Sequence, residues 1–157
     1  MPITRSTWTD SVTVINNAQL QTIYTNIDAN PATVAWTPAF NGSGHSYGGS
    51  TVGYYTVLAK QVTFMGQVTL ISLGAIAGAV EITGLPTAGA LGNAAITVGY
   101  WAGTTTNFLW LGGYLSSGST IIVLTGVTVA AGGISFLAQA DLSNSTNLVV
   151  GGTYITV

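Results

Sequence analysis

From Lys60 to Leu70 the chain alternates apolar and polar positions with a period of two. Val62, Phe64, Val68 and Leu70 fall on one face. Gln61, Thr63, Gln67 and Thr69 fall on the other, with Met65 the apolar exception. This is the pattern of a half-buried strand. Two later stretches, Phe108–Leu111 and Ile121–Leu124, do not alternate and are apolar on both faces. One face of an antiparallel sheet normally meets water, so these strands predict a second cover, most simply another copy of the chain. Clusters of Gly, Ser and Asn punctuate the chain from Asn41 to Asn147, at intervals typical of an all-β domain. The spacing predicts about eight strands and an antiparallel, jelly-roll-like β-sandwich over residues 31–157.

The N-terminal 30 residues follow a different pattern. Residues 1–15 are polar, Thr-rich and aperiodic, and read as an extended arm. Between Asn16 and Asp28 the period becomes helical. Leu20, Ile23, Tyr24 and Ile27 stand at i, i+3, i+4 and i+7, which places them on one face. Asn16 is a candidate N-cap with Gln19 three residues on, and Asn30-Pro31 ends the helix. A helix this short is marginal alone in water, so its apolar stripe needs a partner surface. Residues 1–30 therefore read as an attachment segment, with Arg5, Trp8, Asp10 and the stripe Leu20, Ile23, Tyr24 and Ile27 as its contact residues.

Charge sharpens this picture. The chain has 157 residues, of which only 4% are Asp, Glu, Lys or Arg, against about 25% in an ordinary domain. They are Arg5, Asp10, Asp28, Lys60, Glu81 and Asp141, with none between Glu81 and Asp141. A surface with so little charge favours association, which points to a subunit of an assembly. Two basic residues cannot supply the phosphate contacts of nucleic-acid binding. Mean hydropathy is positive at +0.54. Even so, the best candidate span, Val68–Val80, is too short and too Gly-rich to cross a bilayer as a helix.

Catalytic chemistry has few carriers. His45 is the only histidine and there is no cysteine. Zinc normally needs three or four ligands, and a nucleophilic mechanism needs a nucleophile, a base and an orienting group. The expectation is a protein that is not an enzyme and holds no cofactor or metal. Exposed-looking aromatics gather in two segments. Tyr47, Tyr54, Tyr100 and Trp101 are candidates for stacking on sugar rings, since such rings offer an apolar face and a polar edge. Packing in the core or between copies is the other reading of the same residues. Phe108, Trp110, Ile122 and Leu124 are candidates for a trimer interface.

Several of these segments together resemble a family. Trp36-Thr-Pro38, Gly53-Tyr54-Tyr55, the strand from Lys60 to Val68, Ile82-Thr-Gly-Leu-Pro86 and the closing Gly152-Thr-Tyr154-Ile-Thr resemble the C-terminal head domains of tailed-phage fibre proteins. Ile3–Asp10, Asn16–Tyr24 and Asn26–Asp28 resemble the virion-attachment segment of phage fibre and decoration proteins. The resemblance implies a homotrimer of antiparallel β-sandwiches on the virion surface. Many fibres carry a long repetitive shaft between attachment segment and head. Here Pro31 follows the helix almost at once, which suits a short knob seated on the particle. The expected function is a trimeric capsid decoration or cement protein that binds the major capsid protein, or other virion proteins, through its arm. A tail or baseplate fibre subunit binding a host glycan is the alternative.

Overall fold

A computed structural model describes residues 17–18, 32–87, 89, 92–128 and 133–156. The chain divides into two units, Met1–Asn30 and Pro31–Val157. Of the expected helix only Asn17 and Ala18 are described, and both are helical and exposed. The attachment residues Arg5, Trp8, Asp10, Leu20, Ile23, Tyr24 and Ile27 lie outside the described residues.

Among its described residues the second unit is all-β apart from one 3-10 turn at Gln139–Asp141. Its strands are β1 (Val34–Trp36), β2 (Ala39–Phe40), β3 (Ser46–Tyr47), β4 (Val52–Leu58), β5 (Gln61–Ser72), β6 (Glu81–Thr83), β7 (Ala94–Ala102), β8 (Phe108–Leu115), β9 (Ile122–Thr128), β10 (Ser135–Phe136) and β11 (Asn147–Ile155). The sequence pattern predicted about eight strands. The additional ones are two- and three-residue strands, too short to show a period.

Hydrogen bonding runs without a break through one antiparallel sheet, in the order β1-β4-β5-β11-β7-β8-β9-β6-β2, with β10 beside β9 and β3 beside β5. The expected all-β antiparallel architecture is present, and it takes the form of one curled sheet. The two ends of the strand order, β1 and β2, are separated in the chain only by Thr37 and the fully buried Pro38. The edges are thus brought together, and the sheet wraps around its own core. Glycines make so tight a curl feasible, as glycine within strands often marks a sharp bend. Gly53, Gly66, Gly113, Gly126 and Gly152 each sit where an added Cβ would crowd a neighbouring residue.

The inner face holds one hydrophobic core. Val62, Phe64, Val68 and Leu70 of β5 are buried, as the alternation required. They meet Leu148, Val150 and Tyr154 of β11, Ile96 and Val98 of β7, Leu111 and Leu115 of β8, and Ile122 and Leu124 of β9. The C-terminal strand β11 lies between β5 and β7, pairing Asn147–Ile155 with β5 and Asn147–Gly152 with β7. The middle of the sheet therefore depends on contacts distant in sequence.

The irregular crossing after β5 is held by side chains from three places. The N–H of Leu73 donates to Asn144 Oδ1 at 2.8 Å, that of Gly74 to His45 Nδ1 at 2.9 Å, and that of Ile76 to Gln139 Oε1 at 2.7 Å. The remaining N–H in the segment, on Ala75, donates to the Ser43 carbonyl. Buried or half-buried backbone donors need partners, and this segment finds them without a ladder.

Candidate binding surface

The outer face of the sheet carries the residues that the core does not use. Register places them in rows. One row runs from Tyr54 on β4 to Met65 on β5, Gly151 on β11, Thr97 on β7 and Gly112 on β8. The next runs from Val52 to Gln67, Val149 and Tyr100. Tyr54 is 45% exposed, Met65 58% and Tyr100 51%. Tyr54 and Tyr100 stand three strands apart, about 14 Å across the sheet.

Between them is an open hollow of about 350 Å³, lined by Met65, Thr97, Gly99, Val149, Val150, Gly151 and Gly152. A second hollow, of about 270 Å³, lies on the other side of Met65 against Tyr54, Tyr55 and Thr33. The first exists because β7 and β11 present glycine where a side chain would otherwise stand. Beside Gly99 the ladder slips by one residue between Val149 and Val150. No Asp, Glu, Lys, Arg or His lines the hollow. Its lining is apolar side chain, glycine backbone and Thr97. In the neighbouring row the Gln67 amide donates to Asn147 Oδ1 at 3.1 Å.

The four stacking candidates separate. Tyr54 and Tyr100 share the outer face. Tyr47 does not, because its hydroxyl accepts the Phe40 N–H at 2.8 Å and its ring packs on the core. Burial raises the Tyr47 phenol above its usual pKa, against the opposing pull of the Phe40 N–H. Trp101 also packs on the core. The aromatic that sequence reading had assigned elsewhere is Trp110. Its indole lies over Gly112, where an added Cβ would fall 2.4 Å from Cη2, and it remains 47% exposed on the same face.

The interface candidates also divide. Ile122 and Leu124 are buried in the chain's own core at 0% and 1% exposure, so they offer nothing to a second copy. The strand reads as apolar on both faces, but one face is filled by the curl of the sheet itself. Phe108 is half-buried against that core. Trp110 stays exposed, in company with Leu109, Ile134 and Phe136 around β8, β9 and β10. Leu109 is exposed at a bulge, where pairing shifts between Phe108 and Trp110.

Two ionisable residues of the β-unit, His45 and Asp141, brace its loops. His45 Nε2 lies 2.9 Å from the Asn41 carbonyl oxygen while Nδ1 accepts from Gly74, so the ring is held as the Nε2–H tautomer. Asp141 accepts from the Thr106 hydroxyl at 2.5 Å and from the Ala138 N–H at 2.8 Å, bracing the 3-10 turn. Among the described residues no cluster of three or more His, Asp or Glu is placed to hold a metal ion.

No family model and no curated protein matches the chain. The fold does match a solved structure. It resembles part of the crystal structure of the Dettilon tailspike protein, gp208, with a TM-score of 0.65 at 14% sequence identity. The match covers 79% of this chain and 23% of the tailspike, so the chain spans less than a quarter of that protein's length. At this identity the likeness is one of fold. The share of this chain it covers is too large for the 1–30 segment to supply, so it reaches well into the curled sheet.

Proposed function

We propose that the chain is a structural protein of a tailed-phage virion that carries its β-unit on the particle surface. The observation that carries this reading is the curled antiparallel sheet in common with part of a phage tailspike. The low charge of the chain supports it, since a surface this poor in charge is suited to life inside an assembly.

Within that reading the site is the capsid shell, and the role is decoration. Residues 1–30 attach, with Trp8 as aromatic anchor and Leu20, Ile23, Tyr24 and Ile27 as the apolar face. Copies associate as a trimer through the apolar patch of Leu109, Trp110, Ile134 and Phe136. A protein that binds the assembled shell but not its released subunits stabilises the shell by mass action. Three linked arms raise effective concentration at neighbouring sites. The reading assigns the chain no reaction.

The test adds purified chain back to particles that lack it and measures occupancy and the temperature of genome release. Full-length chain restores both, and chain lacking residues 1–30 restores neither. Full occupancy by the truncated chain overturns the attachment assignment.

A second reading is favoured by one observation, the shared outer face of Tyr54, Tyr100 and Trp110. In that reading the chain is a tail or baseplate fibre subunit and the β-unit meets a host glycan. Particles stripped of the chain then keep their heat resistance and lose adsorption to cells.

A further inference from the structure

Asn41-Gly42 is the one Asn-Gly pair in the sequence. Such a pair is the most labile setting for an asparagine in a polypeptide. The backbone nitrogen of the following residue attacks the asparagine Cγ, and glycine, with no Cβ, leaves that approach open. The new N–Cγ bond closes a succinimide as the Cγ–Nδ2 bond breaks, and the amide nitrogen leaves as ammonia. Water then opens the succinimide at one carbonyl or the other, giving aspartate or isoaspartate.

The structure requires both members of the pair. Gly42 has φ of 99°, and a Cβ there would fall 2.0 Å from the Ala75 carbonyl oxygen. No larger residue fits. Asn41 follows β2, one end of the strand order, and fastens it to the segment leading into β6. Its Nδ2 donates to the Ala79 carbonyl at 3.0 Å, and its Oδ1 accepts the Glu81 N–H at 2.9 Å. A carboxamide alone among side chains offers a donor and an acceptor in that fork. The same bonds hold the side chain in place. The main chain is held too, with the Asn41 carbonyl oxygen 2.9 Å from His45 Nε2 and the Asn41 N–H donating to the Glu81 carbonyl at 3.0 Å. Closing the succinimide turns Cγ onto the Gly42 nitrogen and expels Nδ2, so the fork must open first.

The products do not fit the site. Aspartate sets a carboxylate oxygen against the Ala79 carbonyl oxygen, acceptor against acceptor. Isoaspartate adds a methylene to the main chain where Gly42 already packs on Ala75. We propose that Asn41 is a modification site of the unfolded chain, that folding protects it, and that deamidation there bars the chain from refolding. Chemical change of an unfolded form is a general route to irreversible loss. The inference does not rest on the virion reading, and the two fail separately.

The experiment is mass-spectrometric peptide mapping of every asparagine in the full chain, held at mildly alkaline pH in buffer and in denaturing urea. In urea Asn41 is converted fastest. In buffer its conversion is slower tenfold or more, because it waits on opening of the fork. When the urea sample is diluted, the folded fraction retains Asn41 and the modified chains stay unfolded. Asn41→Asp, which makes one product directly, lowers the urea midpoint or fails to fold, and in the second case the partition of the diluted parent sample decides. His45→Ala frees the Asn41 carbonyl and speeds loss of Asn41 in buffer several-fold, with the other asparagines unchanged. The proposal is overturned if Asn41 is lost as fast in buffer as in urea, or if modified chains enter the folded fraction as readily as unmodified ones. It is equally overturned if His45→Ala leaves the rate in buffer unchanged.

Discussion

The indole of Trp36 occupies the space that a side chain at Gly53 would need. A Cβ at Gly53 would fall 2.2 Å from Trp36 Nε1, and one at Gly66 would fall 2.7 Å from Cζ2. The same nitrogen donates to the Met65 carbonyl at 3.0 Å. Three strands, β1, β4 and β5, are thus locked at one point. Gly53→Ala and Gly66→Ala should each destabilise by about 1–3 kcal/mol through overpacking. Trp36→Ala should cost about 3–5 kcal/mol. Urea denaturation followed by circular dichroism measures all three. Alanine variants at Gly53 and Gly66 as stable as the parent would show that the ring is not held as described.

His45 ties the loop after β2 to the crossing after β5 through one ring. His45→Ala leaves the Gly74 N–H and the Asn41 carbonyl without these partners. The expected loss is about 1 kcal/mol, since the two groups are half-buried and partly regain water. Amide exchange at Gly74 should accelerate in the variant well beyond its global loss of stability. Exchange at Gly74 that tracks only global unfolding would contradict the latch.

Alkaline pH should destabilise the β-unit through two phenols. Burial raises Tyr154 above the ordinary value of 10.0, outweighing the opposing influence of Thr87, and burial raises Tyr47 likewise. The folded state therefore holds these protons more tightly than the unfolded state. Their contribution is complete below pH 10 and is lost as pH rises through the folded-state values. Unfolding free energy measured from pH 8 to pH 11.5 should fall at the alkaline end. Tyr154→Phe should flatten that fall, while lowering stability near pH 8 by about 1 kcal/mol for the lost hydrogen bond.

The hairpin joining β4 and β5 turns at Ala59, which has φ of 53°. A non-glycine residue in the left-handed region carries about 1–2 kcal/mol of strain, partly offset in any glycine variant by the greater entropy of its unfolded chain. Ala59→Gly should raise stability by up to about 1 kcal/mol, read as an increase in the urea midpoint at constant slope. A lower midpoint would contradict the turn geometry.

Sequence patterning located much of this fold. The alternation from Val62 to Leu70 placed the inner face of β5 correctly, because a strand with one wet face writes its orientation into every second residue. It failed at Ile121–Leu124, where apolar residues on both faces were assigned to a partner. A sheet that curls tightly covers part of its own second face, and no local period encodes curvature. The glycines did encode it, but only in pairs with residues far along the chain, such as Gly53 and Gly66 with Trp36. For the candidate surface, Tyr54 and Tyr100 were visible as exposed-looking aromatics. The hollow was not, because Gly99 and Gly151 come from strands that are neighbours only after β11 inserts between β5 and β7. Trp110 was assigned to an interface, and it lies on the same outer face by virtue of Gly112.

The central claim, a structural protein on a virion surface, is tested most directly by electron cryo-microscopy of purified particles, with and without the gene for this chain. The account predicts density for the curled sheet at regular positions on the outer shell, absent from the deletion particles, with residues 1–30 traced into contact with capsid subunits. Particles that show no difference between the two preparations, with the chain recovered only from the soluble cell fraction, would contradict it.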